Sequence, residues 1–331
     1  MSKGIIELNS AFISSGNAVG KKESEGPLGK LFDISDENDR FGKSTWEMAE
    51  SEMQRIAFNV ALKKAGMGFE DIGALFAGDL LNQCVGSSYG LLGCNIPYFG
   101  IYGACSTSGE GIMLASILTT HGIFERCAVV TSSHNCSAER QYRTPIEYGG
   151  QRAPTSQWTV TGAGAFIIGN CGSGRVKIKA GMPGRVIDKG VTDANNMGAA
   201  MAVPVCDTLC RFFAESGSCP SDYDLIVTGD LGHEGASILR EIIHTEGYEL
   251  EENYTDCGIM IFDKENQDTH SGGSGCGCSA TVLSAHIIPE MEKGRYRRTL
   301  FIASGAMMSP DSIKQGESIP AIGHLILLQC E

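Results

Sequence analysis

Basic residues are scarce in this chain: 26 Lys and Arg stand against 39 Asp and Glu, a formal charge of −13 over 331 residues. A surface this negative excludes non-specific capture of nucleic acid or of an anionic membrane, since both rely on clustered cations. Long apolar runs are missing too. None approaches the ~20 residues that a membrane-spanning helix needs, so any membrane association is expected to come through a protein partner. The N-terminal MSKGIIELNS lacks a secretory-signal pattern. The thirteen scattered cysteines therefore fit a reducing cytosol better than a disulfide framework. Zinc spacing is absent as well: Cys276 and Cys278 form a C-x-C without a second ligand pair, and no metal site is expected.

What is present centres on Tyr102–Leu118, YGACSTSGEGIMLASIL. The short apolar run YFGIY ends in Gly103-Ala104 and delivers Cys105 to the start of a helix predicted over Ser108–Thr120. That helix is apolar on nearly every face, which calls for burial on all sides. A cysteine at such a start would meet unpaired N–H groups and the positive end of the helix dipole, both of which favour the thiolate.

Along the chain, the first forty-five residues read as irregular structure around weak strands. Trp46–Lys64 has helical spacing and a stop at Gly66. Ala74–Ala77 and Cys127–Thr131 read as buried strands, Ser132–Trp158 as a long polar loop region, and Trp158–Gly169 as a strand. The second half then repeats the first. FEDIGALFAGDL at Phe69–Leu80 returns as PSDYDLIVTGDL at Pro220–Leu231, so that Asp79 matches Asp230 in equivalent turns. The Cys105 unit recurs as GGSGCGCSATVLSAHIIPEM followed by KGRYRRTLFIASGA, and TGAGAFIIG is echoed by AIGHLILLQ. Duplicated strand–helix–strand halves, each with an all-apolar helix, imply two sheets with those helices sandwiched between them. The halves divide at 1–170 and 171–331.

Gly103-Ala104-Cys105-Ser106 and Thr161-Gly162-Ala163-Gly164-Ala165 resemble the nucleophile turn and a glycine-rich strand of the thiolase and β-ketoacyl-synthase superfamily. Within it, GPLGKLFD, AGDLLNQ, TSSHNCSAERQYRTPIEYGGQ, TVTGAGA, GRVID, GGSGCGCSA and ESIPAI resemble the stage V sporulation protein AD family, in order from residue 26 to residue 322. The resemblance implies a thiolase-like α/β fold, a five-layer α-β-α-β-α sandwich. It also implies a role in moving dipicolinic acid (pyridine-2,6-dicarboxylate) into the developing spore, beside membrane subunits of the same transport complex. The protein would be made in the cytoplasm and lie peripheral to the inner spore membrane. Relatives of this fold pair as two-fold dimers, so a homodimer is expected through Arg126–Ser132, with the Ser133–Trp158 loops over the partner.

A condensing enzyme needs a thiolate, a basic or amide pair and an oxyanion hole. Cys105 supplies the first, His233 falls near the expected histidine, and the Gly305 N–H lies where it would point at the sulfur. The loop before the second buried helix reads Gly272-Gly273-Ser274-Gly275-Cys276-Gly277, without the expected His or Asn. Non-catalytic binding of dipicolinate is therefore the leading expectation, and an acyltransferase with Cys105 and His233 is the alternative. A purely structural subunit is the third. Donors to a planar dianion would come from Asn82, Gln83, His134, Arg140 and Arg143, beside Cys105, His233 and Gly305. No cofactor is expected; calcium accompanying the ligand is left open.

Overall fold

A computed structural model describes residues 4–142 and 152–330. Ten strands run in one path through an 11-stranded mixed sheet: β1 (Ile6–Val19), β2 (Ala74–Gly78), β3 (Tyr98–Gly100), β4 (Arg126–Ser133), β5 (Gly162–Asn170), β6 (Val176–Met182), β7 (Leu225–Thr228), β8 (Tyr254–Asp256), β9 (Arg298–Ala306) and β10 (Ala321–Cys330). One wing has the order β3-β2-β4-β5-β1 and the other β8-β7-β9-β10-β6. In both wings the outer three strands pair parallel and the remaining pairings are antiparallel. The wings are hydrogen-bonded to each other, because β1 pairs with β6.

Helices fill three further layers. α1 (Trp46–Ala65) covers the outer face of β1, β4 and β5. α2 (Thr107–Thr120) touches β2, β4 and β5 on one side and β9 and β10 on the other, so it lies between the wings. After α3 (Asn135–Tyr142) come α4 (Met197–Ser216) and α5 (Gly232–Thr245), of which α4 packs on β9, β10 and α5. The second central helix, α6, is built from Cys276–Val282, a π-helical Leu283–Ile287 and Ile288–Glu292. The order helix, strand wing, central helices, strand wing, helices is the five-layer arrangement.

Local signals explain the helix ends. Thr45 caps α1 by accepting from the Met48 N–H at 3.3 Å, and Gly66 ends it at φ 67°. Gly122, at φ 66°, follows α2. The N-terminal segment departs from its reading as irregular structure. Ile6–Val19 is a strand joining both wings, with Ser10, Ser15 and Asn17 buried along it. Both of its faces are covered, so the small polar residues that hide a strand signal are what fits: a Cβ at Gly16 would lie 2.5 Å from the Ala57 carbonyl oxygen of α1. Asn135–Tyr142, read as loop, is helical, its low apolar content concealing the period. Nor is α2 buried on every side, since Leu114 is exposed.

Two further expectations change. β4 is an interior strand between β2 and β5, buried along nearly its whole length, so Arg126–Ser132 cannot be a joint between copies; the edge of that wing is β3. α4 is also long and apolar enough by composition to cross a membrane, although in this fold most of it is buried in the protein.

Buried carboxyls add a pH dependence. Burial pushes Glu23 from 4.5 up to about 8 and Asp256 from 3.8 to about 7, and raises Glu50 beside Asp79. These groups hold protons in the folded chain that the unfolded chain releases above pH ~4. Stability is therefore expected to fall as pH rises from about 4.5 to about 8. Melting temperature measured at pH 5.5 should exceed that at pH 8.5, and Glu23→Gln should flatten the slope; a wild-type melting temperature that rises over this range contradicts the assignment.

Candidate functional site

The turn ahead of α2 is held by its own hydroxyls. Ser106 Oγ donates to the Gly103 carbonyl at 2.6 Å, and Thr107 Oγ1 donates to that of Ala104 at 2.6 Å. Ala104 sits at φ 51°, a left-handed conformation disfavoured for a residue with a Cβ. This bend turns Cys105 away from the helix axis and toward the other wing.

Three groups from the second half meet it there. Asp230, which follows β7, is fully buried. Its Oδ1 accepts from Ser304 Oγ at 2.9 Å, while Oδ2 accepts from Ser274 Oγ at 3.0 Å and from the Gly275 N–H at 2.8 Å. Ser274 Oγ also lies 3.8 Å from Cys105 Sγ. Since the serine proton goes to the carboxylate, the thiol is the donor in its contact with Ser274 Oγ, and the Asp230 carboxyl stands beside both. Burial and then the Asp230 charge push the Cys105 thiol well above its ordinary 9.0. The helix start does not win. Burial, reinforced by the Asp230 carboxyl that is itself raised by burial, outweighs a half-charge of dipole, and Cys105 is held as a thiol.

Cys105 lies in the wall of a cavity of about 80 Å³, room for roughly six waters at the ~10–15 Å³ that each needs. Leu80, Ala104, Ala138, Met197, Ala306 and Met308 make most of it apolar. Tyr142 donates to the Leu80 carbonyl at 2.7 Å, so Tyr102, 3.0 Å from it, donates to Tyr142 and keeps its acceptor face free for a ligand. Glu139, Thr159 and Asn195 supply the remaining polarity. Among the described residues no Lys, Arg or His lines the cavity.

Most of the expected ligand contacts are elsewhere. Asn82 and Gln83 are exposed and outside the cavity wall. His134 is fully buried, with Nε2 2.8 Å from the Asp39 carbonyl and its ring against Trp46. Arg140 forms an ion pair with Glu47 on α1. Arg143 lies outside the described residues. His233 lines a different pocket, with Arg152, Lys264 and His270. Gly305 acts through closeness rather than donation: a Cβ there would come within 2.3 Å of the Gly103 carbonyl oxygen, and the N–H beside the thiol is that of Gly275. Asp230 is the residue that sequence reasoning passed over as a turn brace. Its twin Asp79 does brace a turn, accepting from the Leu81 and Ser87 N–H groups at 2.9 and 2.7 Å. The available signal was that Asp230 repeats Asp79 in the turn that leads to His233.

Comparison with known proteins agrees with the architecture. The family described as stage V sporulation protein AD matches residues 3–329. The stage V sporulation protein AD of Bacillus subtilis (strain 168) is 42% identical over 316 residues, covering 96% of this chain and 93% of the relative. Among solved structures, 3-oxoacyl-[acyl-carrier-protein] synthase III from Aquifex aeolicus VF5 superposes with a TM-score of 0.57 at 13% identity, covering 97% of this chain and 99% of that one. Cerulenin-bound OleA from Xanthomonas campestris gives 0.60 at 15% identity, covering 98% and 99%. At such identities these two show the fold alone.

The Cys105–Asp230 contact has a direct chemical readout. In iodoacetamide labelling followed by peptide mass spectrometry at pH 8, exposed Cys219 should react well ahead of Cys105. Asp230→Asn should speed labelling at Cys105 about tenfold or more, since each unit of pKa is a tenfold change in thiolate. Cys105 as the fastest-reacting cysteine of the wild type would refute a protonated thiol.

Proposed function

Because the chain belongs to the stage V sporulation protein AD family, we propose that it is a non-catalytic, thiolase-fold binding protein of sporulation whose ligand is dipicolinic acid, taken up as the calcium chelate for delivery into the developing spore. The carrying observation is the Cys105 thiol held protonated beside the buried Asp230 carboxyl, in a cavity that no Lys, Arg or His among the described residues lines. A condensing reaction needs the thiolate, and this arrangement opposes it.

The lining argues for the form of the ligand. Free dipicolinate is a dianion and would need cations that the described lining does not supply. In the chelate, the ring nitrogen and both carboxylates converge on one calcium ion and the charges cancel. A flat, neutral body suits the apolar wall, and calcium favours further oxygen ligands of the kind Glu139 and Asn195 carry at this cavity. The protein would work peripheral to the inner spore membrane through membrane subunits of the same complex, consistent with a surface too acidic to bind anionic lipid by itself.

Two copies are proposed to pair through β3, the edge of its wing, where Tyr98 and Phe99 are exposed. An exposed edge strand bearing aromatics is a template for its own copy. Sedimentation at micromolar concentration should give a dimer, and Tyr98→Lys should shift it toward monomer. A wild-type monomer removes this part of the reading.

Titration calorimetry tests the ligand. Calcium dipicolinate should bind more tightly than dipicolinate or calcium alone. Cys105→Ala should cost only about 1 kcal/mol, the loss of packing and one weak polar contact. Met308→Arg, which fills the cavity, should abolish binding. Absence of heat with every form of the ligand, or an acyl mass added at Cys105 by acyl-CoA thioesters, would overturn the proposal.

A further inference from the structure

The second pocket, where the structure places His233, shares no lining residue with the Cys105 cavity. Its walls are Arg152–Pro154, the first turn of α5 with His233 and Glu234, Lys264 from the loop after β8, and His270–Ser271. In a chain of charge −13, this pocket brings together two cationic side chains and two histidines.

The bases are not used up by the protein. Arg152 is fixed on one side, where its Nη2 pairs with Asp268 and its guanidinium lies 4.9 Å from the centre of the Trp158 ring. Its Nη1 has no hydrogen-bond partner among the described residues. Among the described residues, neither the His233 ring nor the Lys264 ammonium has a hydrogen-bond or ion-pair partner. Asp268 is already shared between Arg152 and His270, whose Nε2 is 3.1 Å from it. Glu234 is exposed on the rim, where solvent and salt screen its charge.

We propose that this pocket is a second binding site, for a compact oxyanion of the phosphate class, held by Arg152, Lys264 and His233. Arg152, held on one side by Asp268, presents a fixed guanidinium at the pocket wall. Lys264 supplies the mobile counter-charge, and the His233 ring supplies a third donor. The site is open to solvent, which suits an anion carried on a larger organic group as well as a free one. It also abuts the element that builds the first cavity. Pro154 and Ser271 line this pocket, while Thr159 and Ser274, a few residues on along the parallel ladder Trp158–Thr159 with Gly273–Ser274, line the cavity at Cys105.

Calorimetry at low ionic strength, with the full chain and no calcium or dipicolinate, provides the test. Inorganic phosphate and glycerol 3-phosphate serve as separate probes. At least one should bind, and salt should weaken it. Binding of both with equal affinity identifies a free anion; binding of the ester alone identifies a phosphate carried on an organic group. Lys264→Glu alters an exposed side chain without a partner in the fold, and should weaken binding about tenfold or more. His233→Ala should weaken it several-fold, and neither variant should shift the melting temperature. Calcium dipicolinate binding should survive both variants, so that failure here is distinguishable from failure at the Cys105 cavity. Heat from neither probe, or binding indifferent to both substitutions, would overturn the proposal.

Discussion

Two helices must share the space between two wings of one sheet, and much of the chain's composition answers to that. Where α2 and α6 pass each other, the side chains are small and paired: Ser108 Oγ lies 2.7 Å from Ser279 Oγ. Glycines let strand and helix backbones close in. A Cβ at Gly277 would fall 2.2 Å from the Gly162 carbonyl oxygen, and one at Gly164 would fall 2.6 Å from Ala280 Cβ. Larger residues would force the wings apart, and close-packed interiors do not absorb such volume cheaply.

The site is a consequence of that closeness. Each central helix begins at the same end of the layer, so the turn before α2 and the turn before α6 face one another, bringing Cys105 against Ser274 and Gly275. Asp230 enters between them from the end of β7. The duplication thus supplied two equivalent acids, which then took different work. Asp79 accepts only from its own turn and Ser87, whereas Asp230 gathers donors from two separate segments, at Ser274 with Gly275 and at Ser304, and stands beside Cys105.

Charge placement then decides the chemistry. The turn before α2 holds its cysteine as a protonated thiol, because the site is dry and the nearest titratable group is an acid. The fold is shared with synthases, but function follows the side chains at the site. The cavity is walled by Leu80, Met197 and Met308 with hydroxyls and a carboxyl at selected points, a lining compatible with the proposed binding of a small body.

Much was legible from the chain alone. The bounds of α1 and α2, the buried strands β2 and β4, the duplication and the turn bearing Cys105 all follow from periodicity, caps and repeated motifs, which are local properties. What was lost was lost for one reason. β1 reads as irregular because a strand covered on both faces shows no alternation, and its buried Ser10, Ser15 and Asn17 are chosen for their neighbours. His233 reads as a partner of Cys105 because it falls near the position of the condensing-enzyme histidine, yet the turn at Gly232, φ 65°, sends it to another pocket. Arg140 reads as a ligand contact until Glu47, on a helix far away in sequence, claims it. Sequence determined which elements form and that they form twice. Tertiary structure alone decided which side chain stands beside the thiol, because that neighbour comes from the opposite wing and contact across a layer leaves no mark on local spacing.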